Sequence, residues 1–177
     1  MQQKYKQQGF TIIEVMIVLA IAALIMLIVF LAVPALQRSS RNTAVKEDAS
    51  RLATAVSTFV SNSNGMMPCT ETGTVPNDAA TIVQQAGTLS QLTFISADVS
   101  CSSTAPTSAP TSGSFIVYTA SADLSGTWNS NAVGVYEGAK CSGSGVTTTG
   151  AQPRQIALLY PIEGGGGSYT SSCLQAQ

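Results

Sequence analysis

Histidine is absent from the 177 residues of this chain, and charged residues make up only 10% of it. The missing imidazole removes the commonest general base and the commonest protein ligand for metal ions. The charge content lies well below the roughly 25% that is typical of soluble domains. The few charges are also unevenly placed, since no charged residue lies between Val15 and Leu36. The two parts of the chain therefore belong in different solvents.

Basic residues are scarce beyond Asn62, where Lys140 and Arg154 stand against six acidic residues and leave a net charge of −4. Tight nucleic-acid binding depends on the neutralisation of phosphates by Lys and Arg, so we expect no strong nucleic-acid binding. The length suits one domain with an appended helix and is too short for two ordinary domains.

No pattern in the sequence indicates catalysis. Lys140 beside Cys141 could activate a thiol, but a disulfide-bonded cysteine in a loop is the favoured interpretation. The run Gly164–Gly167 lacks the Lys and the Ser or Thr of a phosphate-binding loop. The acidic residues are scattered singly, without the pairing that acid–base work needs. We therefore predict that the chain is not an enzyme and that it has no catalytic residues, no metal site and no cofactor.

The uncharged segment is long enough to span a membrane. The apolar run extends from Phe10 to Leu36, whereas a bilayer core of about 30 Å needs roughly 20 residues. The run does not fit a secretory signal peptide, whose apolar core is shorter and ends at a small-residue cleavage site. This run is too long, and no convincing cleavage site follows Pro34. Lys4 and Lys6 precede the run and place the N-terminus in the cytoplasm, although Arg38 and Arg41 after the run oppose that orientation.

One ionisable residue, Glu14, lies near the start of this span. A carboxylate inside a membrane segment is costly and is a functional hypothesis by default. A position at the headgroup boundary, where the charge costs little, is the alternative. The functional interpretation is that the carboxylate awaits a cationic partner.

The residues around Glu14 resemble the N-terminal signature of the type IV pilin family. A short basic leader ends in Gly9, and Phe10, Thr11 and two aliphatic residues follow it. Glu14 is then the fifth residue after Gly9, and an unbroken apolar run comes next. The resemblance covers the leader and the helix to about Gly65, roughly the first third of the chain.

The resemblance implies that a prepilin peptidase cuts between Gly9 and Phe10 and that the new amine of Phe10 is N-methylated. It also implies the partner of Glu14, namely the α-ammonium of Phe10, commonly that of a neighbouring subunit. Phe10, Thr11 and Glu14 would thus be the assembly residues. A carboxylate and an ammonium buried together compensate each other, while either one alone is heavily penalised. Such a pair can set axial register, as single buried polar groups do in coiled coils.

The helix is expected to continue well beyond the span. A stripe at spacings of three and four follows Pro34, and Asn64-Gly65 with Pro68 is a helix stop, so we predict a helix over about 11–63. Pro34 removes a backbone hydrogen bond and should kink or locally melt the helix between Phe30 and Pro34. The stripe would pack on a sheet, and a coiled-coil stalk is the weaker alternative. Its members are Val45, Ala49, Leu52, Val56 and Phe59/Val60, with Arg38, Arg41, Lys46, Glu47, Asp48 and Arg51 on the polar faces.

Beyond Gly65 the pattern predicts a short helix over 78–92 and three strands. The strands are Phe115–Ala120, Ala132–Glu137 and Gln155–Pro161. A Ser/Thr/Pro loop at 102–113 is an exposed linker or an O-glycosylated one. We expect a further loop at 142–152 and a flexible run at Gly164–Gly167. The fold class is therefore α+β, a pilin-like roll with the long helix on an antiparallel sheet of three or four strands. The predicted parts are a leader at 1–9, a transmembrane or filament-core helix at 10–36, an amphipathic half at 37–64 and a globular head at 65–177.

Four cysteines, an even number in an exported chain, favour two disulfides and no zinc site. Three connectivities are possible. We prefer Cys69–Cys101 and Cys141–Cys173, because sequential pairing closes the shorter loops.

The leading hypothesis is a structural subunit of a type IV pilus that serves motility, adhesion or DNA uptake. We expect a single-pass protein of the cytoplasmic membrane with a cytoplasmic N-terminus, which then enters an extracellular filament. Its partners would be further copies of itself through the N-terminal helices, the prepilin peptidase and the inner-membrane assembly machinery. One alternative is a pseudopilin or minor pilin of a type II secretion or DNA-uptake machine. Another is a monomeric membrane-anchored binding domain.

Overall fold

The computed structural model describes residues 9–65, 77–96, 99–102, 114–118 and 132–176. The chain divides into two compact units, Met1–Ser39 and Ser40–Gln177. The second half of the long helix thus belongs to the same unit as the sheet. The finer division at residues 36 and 64 stays a prediction.

The first helix, α1, runs from Ile12 to Asn62, close to the predicted 11–63. It continues through Pro34 as α-helix, and the kink expected there stays a prediction. Its end follows the predicted stop: Asn64 has a φ of 57°, and the Gly65 N–H donates to the Val60 carbonyl at 2.8 Å. This left-handed turn with a six-residue hydrogen-bonded loop is a Schellman motif, which satisfies a carbonyl at the helix end.

Within the described residues, the second unit adds a short helix and seven strands. Helix α2 covers Asn77–Ala86, so it begins near the predicted 78 but ends six residues before the predicted 92. A 3-10 turn over Thr93–Ser96 follows beyond the predicted range. Residues between them include Gly87 in the left-handed region, which ends α2. The strands are β1 Val99–Ser102, β2 Ser114–Tyr118, β3 Ala132–Glu137, β4 Lys140–Ser142, β5 Gly145–Thr147, β6 Ile156–Glu163 and β7 Tyr169–Gln175.

In the part of the chain that the structure describes, the main sheet has five strands in the order β1-β2-β3-β6-β7. Pairing is antiparallel for β3 with β6 and for β6 with β7, as predicted. Pairing is parallel for β1 with β2 and for β2 with β3, so the sheet is mixed and one strand larger than the prediction of three or four. The three predicted strands correspond to β2, β3 and β6. The strand β7 was missed because its YTSSCLQ sequence is too polar to read as a buried strand.

The main core lies between α1 and one face of the sheet. The predicted stripe is confirmed: Ala49, Leu52, Val56 and Val60 are buried, and Val45 and Phe59 pack against them partly buried. Sheet residues meet this stripe at alternate positions, as the two-residue period of a strand requires. They are Val133, Val135, Ile156, Leu158 and Tyr160. The class α+β, with the long helix packed on a small sheet, is therefore confirmed.

A second, smaller cluster lies on the other face of the sheet. It contains Tyr136 and Leu159 together with Val146 of β5, and it is flanked by Cys141 and Cys173. Gly134 is needed here, because a Cβ at this position would lie 2.8 Å from the Tyr136 ring. The predicted loop at 142–152 therefore contributes to a hairpin, β4–β5, that covers this face.

The disulfide Cys141–Cys173 joins that hairpin to β7, as predicted. Cys69 and the side chain of Cys101 lie outside the described residues, so their pairing stays a prediction. Residues 1–8 and most of the predicted loop at 102–113 also lie outside them.

Candidate assembly site

The start of α1 is built by a reciprocal cap between Thr11 and Glu14. The backbone N–H and the hydroxyl of Thr11 donate to Glu14 Oε2 at 2.8 and 2.7 Å. In return, the Glu14 N–H approaches Thr11 Oγ1 at 3.4 Å. This is a capping box, in which two helix-start donors are satisfied by side chains three residues apart. The carboxylate also lies where the helix dipole favours negative charge.

The cap was missed by the sequence interpretation, although a Thr followed three residues later by Glu is its known sequence signal. Gly9 and Phe10 directly precede the cap and are exposed, Phe10 by 89% of its surface. The bond between these two residues is therefore reachable from solvent. The structure brings Thr11 and Glu14 into hydrogen-bond contact, with Phe10 directly before them in the chain. The ammonium pairing of Glu14 stays a prediction.

The span after this cap exposes apolar side chains all around the helix. Every residue from Phe10 to Leu36 is exposed within its own unit, including large residues such as Phe30 and Leu31. Within the described residues, α1 is the only helix whose length and composition suit a membrane crossing. A helix that is apolar all round is stable only when lipid or other protein covers it.

In the second unit, two consecutive residues of α1 hold the end of β6. Arg41 donates through Nε and Nη2 to the two carboxylate oxygens of Glu163 at 2.9 and 3.1 Å. Asn42 pairs with the Glu163 backbone, donating from Nδ2 to its carbonyl at 2.9 Å and accepting its N–H at Oδ1 at 2.9 Å. We call these three residues the clasp. Sequence reasoning missed the clasp, because Glu163 lies more than 120 positions from Arg41 and Asn42.

Asp48 corrects one sequence expectation. It was assigned to a polar face of the helix, yet it is buried with 1% of its surface exposed. Its Oδ2 accepts the N–H groups of Gln91 and Leu92 at 2.7 and 3.1 Å, and the Ser90 hydroxyl lies 3.4 Å from both oxygens. A buried carboxylate is tolerated when such donors replace its water shell. Asp48 thus ties the segment after α2 to the long helix.

Among the described residues, no three His, Cys, Asp or Glu side chains lie together in a group that could hold a metal ion. Cys141 is oxidised to a disulfide, and its neighbour Lys140 reaches the Gly150 carbonyl at 3.5 Å. Burial raises the pKa of the Glu137 carboxyl at the end of β3. The predicted flexible run at Gly164–Gly167 forms a turn, closed by a 2.7 Å bond from the Gly164 N–H to the Ser168 carbonyl.

Comparison with known proteins supports the N-terminal interpretation. Residues 4–30 match the family model described as the prokaryotic N-terminal methylation motif. No curated protein and no solved structure matches the chain. The matched range contains the cap, the Gly9–Phe10 bond and most of the exposed apolar span. The chain therefore carries the type IV prepilin-like signal of the pilin family, ahead of an α+β unit that is itself pilin-like.

Proposed function

We propose that this protein is a structural subunit of a type IV pilus, cut between Gly9 and Phe10 and polymerised through its N-terminal helix. The observation that carries the proposal is the exposed apolar half of α1, which begins directly at the capped signal. Lipid can cover this surface before assembly, and the same surface of other copies can cover it afterwards. Neither the cap nor the cleavage signal is needed by a helix that serves only as an anchor.

Cleavage by a prepilin peptidase hydrolyses the Gly9–Phe10 peptide bond and creates an ammonium on Phe10. Glu14 then has two uses: it can cap its own helix through Thr11, or it can pair with an ammonium. In an apolar bundle an unpaired ammonium is strongly penalised, so a copy whose Glu14 accepts the Phe10 ammonium of its neighbour is favoured. The position of Glu14 thereby sets the axial register of the filament.

The precursor would lie in the cytoplasmic membrane as a single-pass protein with residues 1–9 inside the cell. The inner-membrane assembly machinery would then move the cut chain into an extracellular filament. The head would serve as a structural unit without catalytic activity. A pseudopilin or minor pilin of a secretion or DNA-uptake machine would use the same signal, and it would differ in forming no abundant long surface fibres.

The test begins with surface material sheared from cells, examined by electron microscopy and N-terminal sequencing. We expect filaments whose chains begin at Phe10. Recovery of chains that begin at Met1 would contradict processing and assembly.

Two substitutions at Glu14 separate its two uses. Glu14→Gln keeps a side-chain acceptor for the cap but cannot neutralise an ammonium, whereas Glu14→Ala removes both. We expect both variants to insert in the membrane and both to lose filaments. Normal filaments from Glu14→Gln would show that the cap, and not the charge, is what assembly needs.

A further inference from the structure

We propose that the clasp of Arg41, Asn42 and Glu163 is a releasable latch, which opens as one unit while the core of the head stays folded. This inference concerns the second unit alone and does not depend on whether the chain polymerises. The attachment of α1 to the rest of that unit changes from polar to apolar along the helix.

The first eight residues of α1 in this unit, Ser40–Glu47, have no buried side chain, and all of them are described. Val45 is the apolar side chain of this segment that packs partly buried against the core. Arg41 and Asn42 of this segment contact the end of β6 through polar groups, namely the four hydrogen bonds of the clasp. From Asp48 onward the attachment is different, since seven side chains between Asp48 and Val60 are buried.

Polar and apolar attachments respond differently to water. A hydrogen bond that opens into solvent is replaced by bonds to water, so its net loss is small. An apolar side chain that leaves a core has no such replacement. Water has access to the clasp, because the Arg41 side chain is 50% exposed and a groove of about 180 Å³ lies beside it. The Ser40–Glu47 turns can therefore open at a lower free-energy cost than the rest of the helix.

The geometry also couples the two halves of the clasp. Arg41 holds the Glu163 side chain, and Asn42 holds the Glu163 backbone through two bonds. Arg41 and Asn42 are neighbours on the helix, and both bind Glu163. Loss of the Arg41 contact therefore weakens the Asn42 contact, and loss of the Asn42 contact weakens that of Arg41. In a filament, as the proposed function would have it, a pull along α1 would reach this latch before the apolar stripe.

Amide hydrogen exchange on the full-length protein in detergent micelles tests the latch. The Glu163 N–H donates to Asn42 and reports the latch directly, while the Leu92 N–H donates to the buried Asp48 and reports the core. We expect the Glu163 amide of the unaltered protein to exchange at least about 100-fold faster than the Leu92 amide, because local opening costs less free energy than opening of the core. Equal rates at the two amides would overturn the proposal.

The perturbation is Arg41→Gln, which removes the ion pair and leaves the Asn42 side chain in place, so that its two bonds to the Glu163 backbone should open more often. We expect Glu163 exchange to accelerate about 5- to 10-fold, as the loss of one net charged contact implies, with Leu92 exchange unchanged. The matched control is Arg51→Gln, an arginine of the same helix that donates to the Thr88 carbonyl outside the clasp, and it should leave Glu163 exchange unaltered. If Arg41→Gln changes neither amide, or accelerates both equally, there is no separate latch.

Discussion

Replacement of Asp48 is the sharpest test of the head structure. In Asp48→Ala, the N–H groups of Gln91 and Leu92 lose their acceptor, and the Leu92 amide lies in a buried residue. Hydrogen bonds to charged groups contribute about 1.5–3 kcal/mol each, and the two short bonds count fully while the 3.4 Å contacts count little. Water can reach the donor of the exposed Gln91, which reduces the loss. We therefore expect the free energy of unfolding to fall by about 2–4 kcal/mol.

The assay is urea unfolding of the full-length protein with the Cys141–Cys173 disulfide intact, followed by near-ultraviolet circular dichroism of the head tyrosines. For a slope of about 1.5 kcal/mol per molar urea, the midpoint of unfolding should fall by about 1–3 M. Asp48→Asn keeps one carbonyl oxygen and should lose about half as much. The exposed neighbour is the matched control, since Glu47→Ala should change the stability by less than about 0.5 kcal/mol. A loss below about 0.5 kcal/mol for Asp48→Ala would refute this account of the carboxylate.

Three further predictions concern the cap, the disulfide and a half-buried carboxyl. Thr11→Ala should weaken the helix start by about 0.5–2 kcal/mol, measurable as faster amide exchange in the first turn with no change at Leu92. Cys173→Ser opens a loop with a sequence separation of 32 and should lower the stability of the head by about 3–4 kcal/mol in urea unfolding; an unchanged midpoint would contradict it. Burial raises the pKa of Glu137, so the folded state holds its proton more tightly than the unfolded state, and stability should fall as the pH rises from 4.5 through that raised pKa. At pH 7 the urea midpoint of Glu137→Gln should therefore be higher than that of the natural protein, and below pH 4.5 the two midpoints should converge. Parallel pH profiles of the two midpoints would refute this.

Sequence patterns predicted the long helix because its signals are local. Each signal depends on residues within a few turns of one another. They are the stop at Asn64-Gly65, the stripe through Leu52 and Val56, and the membrane-length run. The prepilin-like signal is equally local, since all its parts lie within ten residues. The capping box of Thr11 and Glu14 was readable in the same way and was overlooked. The pairing of Cys141 with Cys173 followed from counting and loop length, and the structure confirms it.

Tertiary structure alone decided the features that join distant segments. The polar strand β7 forms because β6 supplies its hydrogen-bonding partners and the disulfide holds its end, neither of which its own residues signal. Asp48 turns inward because backbone donors of a segment more than 40 residues away replace its water. The clasp and the parallel pairing of β1, β2 and β3 have the same origin. Periodicity reports which face of an element is apolar, whereas the partner of a polar group is set only when the chain brings it within hydrogen-bond distance.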